Sequence, residues 1–278
     1  MSTTRRTVRS LAIGAIALGF FLAVIATVLG SLFLVRERPG ARSFDDALDD
    51  FRSSRSNQSD GSVAAVNRPP SGVYLADAAG KMSISFPPTA QNYGATAPVT
   101  IRYDGENCWS TTVDFNSAFQ QQWDYCITED IFTEVRNRTT TRWDLGAMAI
   151  TNTAIFECSP PGEILRATTR TGDRTTHECI GHSDEISGTT VSTVTFEALG
   201  PETVTIGDRS VSTHRLRETD VLTGPQRGTT VIDYWYATSD MLLVKMERHV
   251  DIRTDSPVGD ITYKEDGGWT LSSLDPTR

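Results

Sequence analysis

One short stretch of the sequence carries side chains with the spacing of metal ligands. His177 and His182 flank Cys179. A Cys179 thiolate and two imidazoles could bind zinc, because zinc in proteins takes sulfur and nitrogen ligands. A cysteine in a disulfide has no thiolate to offer, however, and all four cysteines lie in what we expect to be an exported domain. We therefore expect Cys179 to be oxidised and predict no metal site.

The sequence contains no arrangement of side chains that is typical of an enzyme. The stretch 181–185 reads Gly-His-Ser-Asp-Glu and lacks the final glycine of a nucleophile elbow. No phosphate loop and no dinucleotide-binding fingerprint occurs. His214 shares the parity of Leu216 on a predicted strand, which indicates an inward-facing core histidine. We predict no catalytic residues and no cofactor.

Tryptophans are a second set of candidate site residues. They could line a ligand pocket, but in a β domain they more often fill the core, and we expect the core here. The five are Trp109, Trp123, Trp143, Trp235 and Trp269.

The four cysteines predict two disulfides. Four cysteines allow three pairings, and we favour the nearest neighbours, Cys108–Cys126 and Cys158–Cys179. A turn at 104–107 leads into a predicted strand at 108–115. A returning strand at 120–127 would bring Cys126 opposite Cys108 in a hairpin, where a disulfide forms easily. Each bond would stabilise the fold by roughly 3 kcal/mol in the chain-entropy model. Because disulfides persist in oxidising compartments, we expect the domain outside the cytoplasm.

An uncharged apolar run at 11–35 predicts one transmembrane helix. Residues 1–10 would then form a cytoplasmic tail. Basic residues are nearly balanced across the run, so the cysteines rather than the positive-inside rule orient it. A cleaved signal peptide is the alternative, but the run exceeds the usual length of a signal core. We expect a single-pass protein of the cell membrane, held there through 11–35.

Residues 36–72 are predicted to form a stalk with a short amphipathic helix at 43–52. Phe44, Ala47, Leu48 and Phe51 make one helical stripe. The carboxylates at 45, 46, 49 and 50 form a solvated face rather than a catalytic pair. In one interpretation the helix docks on the following domain or lies near the membrane surface. In the other it forms only transiently in a flexible tether, because ten residues are too few for stability alone in water.

Residues 73–278 are predicted to form one extracytoplasmic β domain. Short runs of β-branched and aromatic residues alternate with turn residues, and no helical pattern separates them. This favours a mainly β fold with a large antiparallel curved sheet or open barrel; a β-sandwich is the alternative. The first strands are expected at 73–75 and 82–86, a break at 158–162 and a turn at 266–268.

Several hairpins of this domain resemble those of a known class of envelope proteins. The stretches 202–214, 233–237 and 242–245 are similar to the carboxy-terminal hairpins of lipoprotein-carrier (Lol-type) half-barrels. The wider layout, with an anchor, a short helix, four cysteines and an ending like 255–263, resembles an uncharacterised actinobacterial family. An arginine-rich, lysine-poor composition agrees with a GC-rich genome. The resemblance implies a concave sheet that could hold an apolar ligand.

Charge and motifs together limit the function. The formal net charge is −9 and three arginines precede the apolar run, so the remainder carries −12. Such an acidic domain argues against nucleic acid as a partner. We expect a non-enzymatic domain that binds an envelope protein or an apolar ligand. A lipid carrier is the alternative, and an envelope hydrolase is the third hypothesis.

Overall fold

The computed structural model describes residues 39–55, 68–146, 148–257 and 259–278. Within these ranges the chain forms one helix, α1 (Phe44–Arg55), and thirteen strands. The strands are β1 (Gly72–Ser85), β2 (Pro88–Asn92), β3 (Thr96–Tyr103), β4 (Cys108–Asn116), β5 (Phe119–Thr128), β6 (Ile131–Asp144), β7 (Ala149–Arg166), β8 (Arg174–Ser183), β9 (Thr190–Ile206), β10 (Arg209–Thr223), β11 (Gln226–Ala237), β12 (Leu243–Thr254) and β13 (Ile261–Leu271). The predicted tail 1–10 and membrane helix 11–35 lie outside the described residues. Over the ranges given above, no helix is long and apolar enough to cross a membrane.

The strands of the described chain form one sheet that closes on itself. β1 pairs with β3 through residues 72–77 and with β13 through residues 76–84. The second ladder closes a twelve-stranded antiparallel barrel, with the short β2 beside the second half of β1. The predicted mainly β fold is confirmed, whereas the open sheet and the sandwich are wrong. The edge closes because pairing β1 with β13 satisfies backbone groups that an open edge would leave unpaired.

The described residues divide into two compact units. The smaller one holds residues 143–150, where β6 ends and β7 begins. The backbone N–H of Leu145 donates to the carbonyl of Met148 at 2.8 Å, and that of Gly146 donates to the Asp144 carboxylate at 2.8 Å. The larger unit holds residues 39–142 and 151–278.

Side chains fill the interior of the barrel in the larger unit. On β5, Phe119, Gln121, Trp123 and Tyr125 are buried, and the residues between them are more exposed. A strand turns every second side chain to the same face, so this alternation marks the inward positions. The interior is thus a packed core rather than an open concave face.

The predicted interruptions at 158–162 and 266–268 are wrong, because both stretches lie inside strands, β7 and β13. β1 is likewise one strand, not the two predicted at 73–75 and 82–86. β13 pairs with β1 on one side and with β12 on the other, and this pairing outweighs the preference of its glycines for a turn. Gly80 and Gly267 lie opposite each other, and a Cβ on Gly80 would lie 2.6 Å from the ring of Tyr93. The glycines therefore make room for an interior aromatic ring.

The prolines of 158–162 have a different reason for lying in a strand. Pro160 and Pro161 are exposed on β7. The ladder between β7 and β8 runs from 154 to 158 and ends before them. Proline lacks a backbone N–H, and it fits a strand where no ladder partner needs that donor.

Helix α1 lies against the barrel. Ala47, Leu48 and Phe51, the core of the predicted apolar stripe, are buried together with Val73 of β1. The guanidinium of Arg42, just before the helix, donates to the Asp114 carboxylate at 2.9 Å. Residues 39–55 are thus packed on the β domain. The helix is therefore docked, which is one of the arrangements expected from the sequence.

Both disulfides are those that nearest-neighbour pairing predicts. Cys108 and Cys126 lie directly opposite each other on β4 and β5, with an S–S distance of 2.04 Å. Cys158 and Cys179 do so on β7 and β8, at 1.98 Å. Each bond therefore ties two neighbouring strands of the barrel.

Candidate ligand-binding site

A pocket of about 350 Å³ lies at one end of the barrel. It is surrounded by the β5–β6 turn, the loop between β7 and β8, the middle of β9 and β10, and the β11–β12 turn. A volume of 300–1,000 Å³ is typical of small-molecule sites. A neighbouring cavity of about 320 Å³ is lined mainly by polar atoms, whereas this one is lined mainly by apolar atoms, so we take this one as the candidate ligand site.

The loop between β7 and β8 is fixed over β9 at this pocket. The backbone N–H of Gly172 donates to the carbonyl of Ala198 at 2.7 Å, and the N–H of Ala198 donates to the carbonyl of Asp173 at 3.0 Å. Gly200 has φ of 105°, and a Cβ there would lie 2.7 Å from the Thr171 hydroxyl. Glycine at 200 thus allows the close approach of the loop that forms one wall.

A bulge in β9 shapes the wall of the pocket. Arg215 of β10 pairs with Gly200, but the next residue, Leu216, pairs with Ala198. Leu199 is therefore the extra residue of a β-bulge, and bulges bend and twist a strand locally. The hairpin β9–β10 changes direction at the pocket for this reason.

The pocket has an apolar floor and a charged rim, where three arginines line it together with one carboxylate, Asp130. Phe132, Leu165 and Leu216 line it and are buried, while Arg166 and Arg170 line it and are exposed. The guanidinium of Arg166 donates to the Glu163 carboxylate at 2.7 Å. Within the described ranges, Arg170 has no carboxylate partner for its guanidinium. An apolar floor with an unneutralised cation at the rim suits an amphipathic anion.

His214 is a titratable side chain in the wall of the pocket. It lies on β10, two residues before Leu216, and both line the cavity. Burial lowers the pKa of its imidazole, so the neutral ring predominates at pH 7. The predicted inward orientation of His214 is thus observed, at a pocket wall rather than in the closed core.

Acidic side chains lie deeper in the barrel. Glu218 and Asp220 lie two residues apart on β10, so their side chains share the inward face of the strand. Burial, followed by the mutual charge, raises the pKa of Glu218 well above its usual range. Burial and the charge of Glu134 raise the pKa of Asp220. Burial, followed by the charge of Glu218, raises the pKa of Glu134 to about 8.

A bulge places Glu134 in this group. Asp124 pairs with Arg136 while Tyr125 pairs with Glu134, so Val135 is the extra residue of β6. The bulge turns both Glu134 and Asn137 inward. The amide of Asn137 then donates to the Glu134 carboxyl at 2.9 Å.

A small polar cavity of about 30 Å³ adjoins these acids. Gln121, Glu218, Asp220 and Arg248 line it, and each has a buried polar atom without a hydrogen-bond partner among the described residues. This volume and lining match a site for one water molecule. The cavity is too small for an organic ligand, so the pocket at the barrel end remains the candidate site.

The buried Arg248 neutralises part of this acidic interior. Its guanidinium lies 3.6 Å from the Glu265 carboxylate. The hydroxyls of Tyr93 and Tyr263 donate to the same carboxylate, the latter at 2.6 Å. The network joins β12, β13 and the β2–β3 connection, so its evident role is to hold the barrel together.

The residues singled out in the sequence fall in several places. His177 faces the disulfide Cys158–Cys179, whereas His182 is exposed on the outer face of β8. The five tryptophans are buried, and none of them lines the 350 Å³ pocket. Sequence reasoning missed Arg166 and Arg170. The only local signal was the run of Arg, Thr and Gly at 166–174, which is typical of any surface loop.

No family model and no curated protein matches the sequence. Among solved structures, the chain is similar to the hypothetical lipoprotein YmcC from Escherichia coli K12, with a TM-score of 0.34 and 12% sequence identity. The match covers 80% of this chain and 96% of that chain. The resemblances described from the sequence therefore stay expectations.

Proposed function

We propose that this protein is a non-enzymatic binding protein of the cell envelope whose barrel-end pocket holds a small amphipathic anion. The observation that carries the proposal is the pairing of an apolar floor with the exposed guanidinium of Arg170 in a 350 Å³ cavity. The apolar part of a ligand would replace water over Phe132 and Leu216, and its charged group would stay at the wet rim. The packed interior limits the ligand to a short chain, which disfavours a carrier of long-chain lipids.

The two disulfides support an extracytoplasmic location, because such bonds persist in oxidising compartments. The apolar run 11–35 supports a membrane anchor. A tethered domain with this pocket would bind its ligand at the membrane surface. These points on location are proposals that topology mapping with thiol labels and proteases would test.

Catalysis is not included in this proposal. A hydrolytic triad needs a histidine hydrogen-bonded both to a nucleophile and to an orienting group. Over residues 68–146, 148–257 and 259–278, the ring of His214 has no such bond to a serine or a carboxylate. A binding role accounts for a neutral imidazole in a pocket wall without further requirements.

The test compares decanoate with decanol, which share an apolar chain and differ in charge. Binding to the purified full chain is measured by calorimetry. We expect saturable binding of both and tighter binding of decanoate. Arg170→Glu should weaken decanoate binding about fivefold and leave decanol binding unchanged, because a rim charge pair contributes up to about 1 kcal/mol.

Two further variants complete the design. Ala198→Phe, which adds a ring at the pocket wall, should abolish binding of both ligands. Arg253→Glu makes the same charge change at an exposed position on β12 outside the pocket and should have no effect. Absence of saturable binding, or binding unaffected by Ala198→Phe, would refute the proposed function.

A further inference from the structure

Three potential metal-ligand atoms meet inside the barrel at the second disulfide. The Sγ atoms of Cys158 and Cys179 and a ring nitrogen of His177 all lie within 4.8 Å of one another. Cys158 lies directly opposite Cys179 on the neighbouring strand, and His177 precedes Cys179 by two residues on β8. Residues two apart on a strand share a face, so the fold itself brings the three together.

His177 has no conventional partner in this position. Both ring nitrogens are buried and lack a hydrogen-bond partner within the described part of the chain. The ring stacks on Phe196 with centroids 5.9 Å apart. A Cβ on Gly162 would lie 2.0 Å from Nε2, so the glycine leaves space for the imidazole. A buried imidazole with two unpaired nitrogens beside two sulfur atoms needs an explanation beyond ring packing.

We propose that reduction of the Cys158–Cys179 disulfide creates a binding site for a thiophilic metal ion of the Zn²⁺ type, with Cys158, His177 and Cys179 as ligands. Two cysteines and one histidine form a known type of zinc site that leaves a fourth position for water. This site is separate from the barrel-end pocket and does not depend on the proposed ligand.

The chemistry needs a reductant, for which we name a dithiol. The dithiol transfers two electrons and two protons: the S–S bond breaks, two thiols form, and the dithiol becomes a disulfide. The metal ion then binds both sulfurs as thiolates and releases two protons. Ligand atoms around one zinc lie about 3.5 Å apart. The two sulfurs, which are bonded to each other in the disulfide, must therefore separate after reduction to hold one ion.

The other disulfide serves as an internal control. In the described residues, the group at Cys158 is the only cluster of three or more such side chains, so Cys108–Cys126 has no comparable histidine beside it. His182 provides a second control. It follows Cys179 by only three residues, but it lies exposed on the outer face of β8.

Cobalt(II) is the probe, since its thiolate complexes absorb in the near ultraviolet. The full chain is reduced with a phosphine, freed of reductant under anaerobic conditions and titrated with Co²⁺. We expect one Co²⁺ per chain with thiolate charge-transfer absorption, and no such signal from the oxidised protein. His177→Ala should weaken binding at least about tenfold, whereas His182→Ala should not change it.

Cysteine variants locate the site. Cys108→Ser/Cys126→Ser should retain the signal after reduction, and Cys158→Ser/Cys179→Ser should lose it. Equal effects of His177→Ala and His182→Ala would mean that Co²⁺ binds an unfolded segment, and would overturn the proposal. Failure of the reduced wild-type chain to bind one Co²⁺, whether folded or not by circular dichroism, would overturn it as well.

Discussion

The hydroxyl groups of Tyr125 and Tyr236 are hydrogen-bonded at 3.0 Å across the inside of the barrel. Their strands, β5 and β11, are separated by five other strands along the sheet. The rings meet edge to face, with centroids 6.1 Å apart. The bond therefore joins opposite walls and shows that the interior is packed through its centre.

We expect this bond to stabilise the fold measurably. Tyr125→Phe and Tyr236→Phe should each lower the free energy of unfolding by about 1 kcal/mol, because each leaves the partner hydroxyl buried and unpaired. The double variant removes both hydroxyls, so it should lose less than the sum. Urea denaturation of the four proteins gives the coupling energy, and a value near zero would show that the two hydroxyls act independently.

Stability should fall with rising pH because of Glu134. Its pKa is raised from 4.5 to about 8 by burial, so between these values the folded chain holds a proton that the unfolded chain has lost. The stabilisation is complete below pH 4.5 and disappears as pH rises through about 8. The slope for one such group is up to about 1.4 kcal/mol per pH unit.

Glu134→Gln tests this sign. Glutamine keeps the acceptor for Asn137 but cannot ionise. Relative to wild type, the variant should gain stability steadily from pH 5 to about pH 8 in urea titrations, and the difference should stay constant above that pH. Glu106→Gln at an exposed turn is the control and should follow the wild-type profile. Parallel profiles for Glu134→Gln and wild type would show that Glu134 is ionised in the folded protein.

The docking of α1 should depend on one aromatic side chain. Phe51 is 3% exposed, and its replacement by alanine removes the largest buried group of the helix stripe. Loss of such a side chain costs about 3 kcal/mol, enough to release a short helix from the barrel. We expect trypsin to cleave after Arg52 much faster in Phe51→Ala. Asp46→Ala, on the exposed face, should not change the rate.

The cost of adding a side chain at position 162 should depend on the imidazole of His177. Gly162→Ala should lower the free energy of unfolding by about 1–3 kcal/mol, because the new Cβ overlaps the imidazole. In a His177→Ala background the same change should be nearly neutral. Gly40→Ala, where no atom lies within 4 Å, is the matched control. Thermal melts distinguish these outcomes, and a destabilisation that persists without the His177 ring would point to backbone strain instead.

The sequence alone determined the features that depend on near neighbours. Alternating apolar residues identified most of the strands, although not their full lengths. The spacing of Cys108 and Cys126 around one turn placed them opposite each other, because a hairpin brings residues at equal distances from its turn together. Phe44, Ala47, Leu48 and Phe51 likewise identified α1 by their helical spacing.

Only the tertiary structure decided that the sheet closes into a barrel and where the two candidate sites lie. Pairing of β1 with β13 joins the two ends of the domain, and no local pattern specifies so distant a partner. Pairing with distant strands also keeps β13 continuous through Gly267 and Gly268, where the local sequence favours a turn. Strand register and bulges bring Arg170 close to Leu216. They also bring His177 close to Cys158. These depend on the packing of the whole sheet, which is why the pocket and the sulfur–imidazole cluster could not be derived from spacing along the chain.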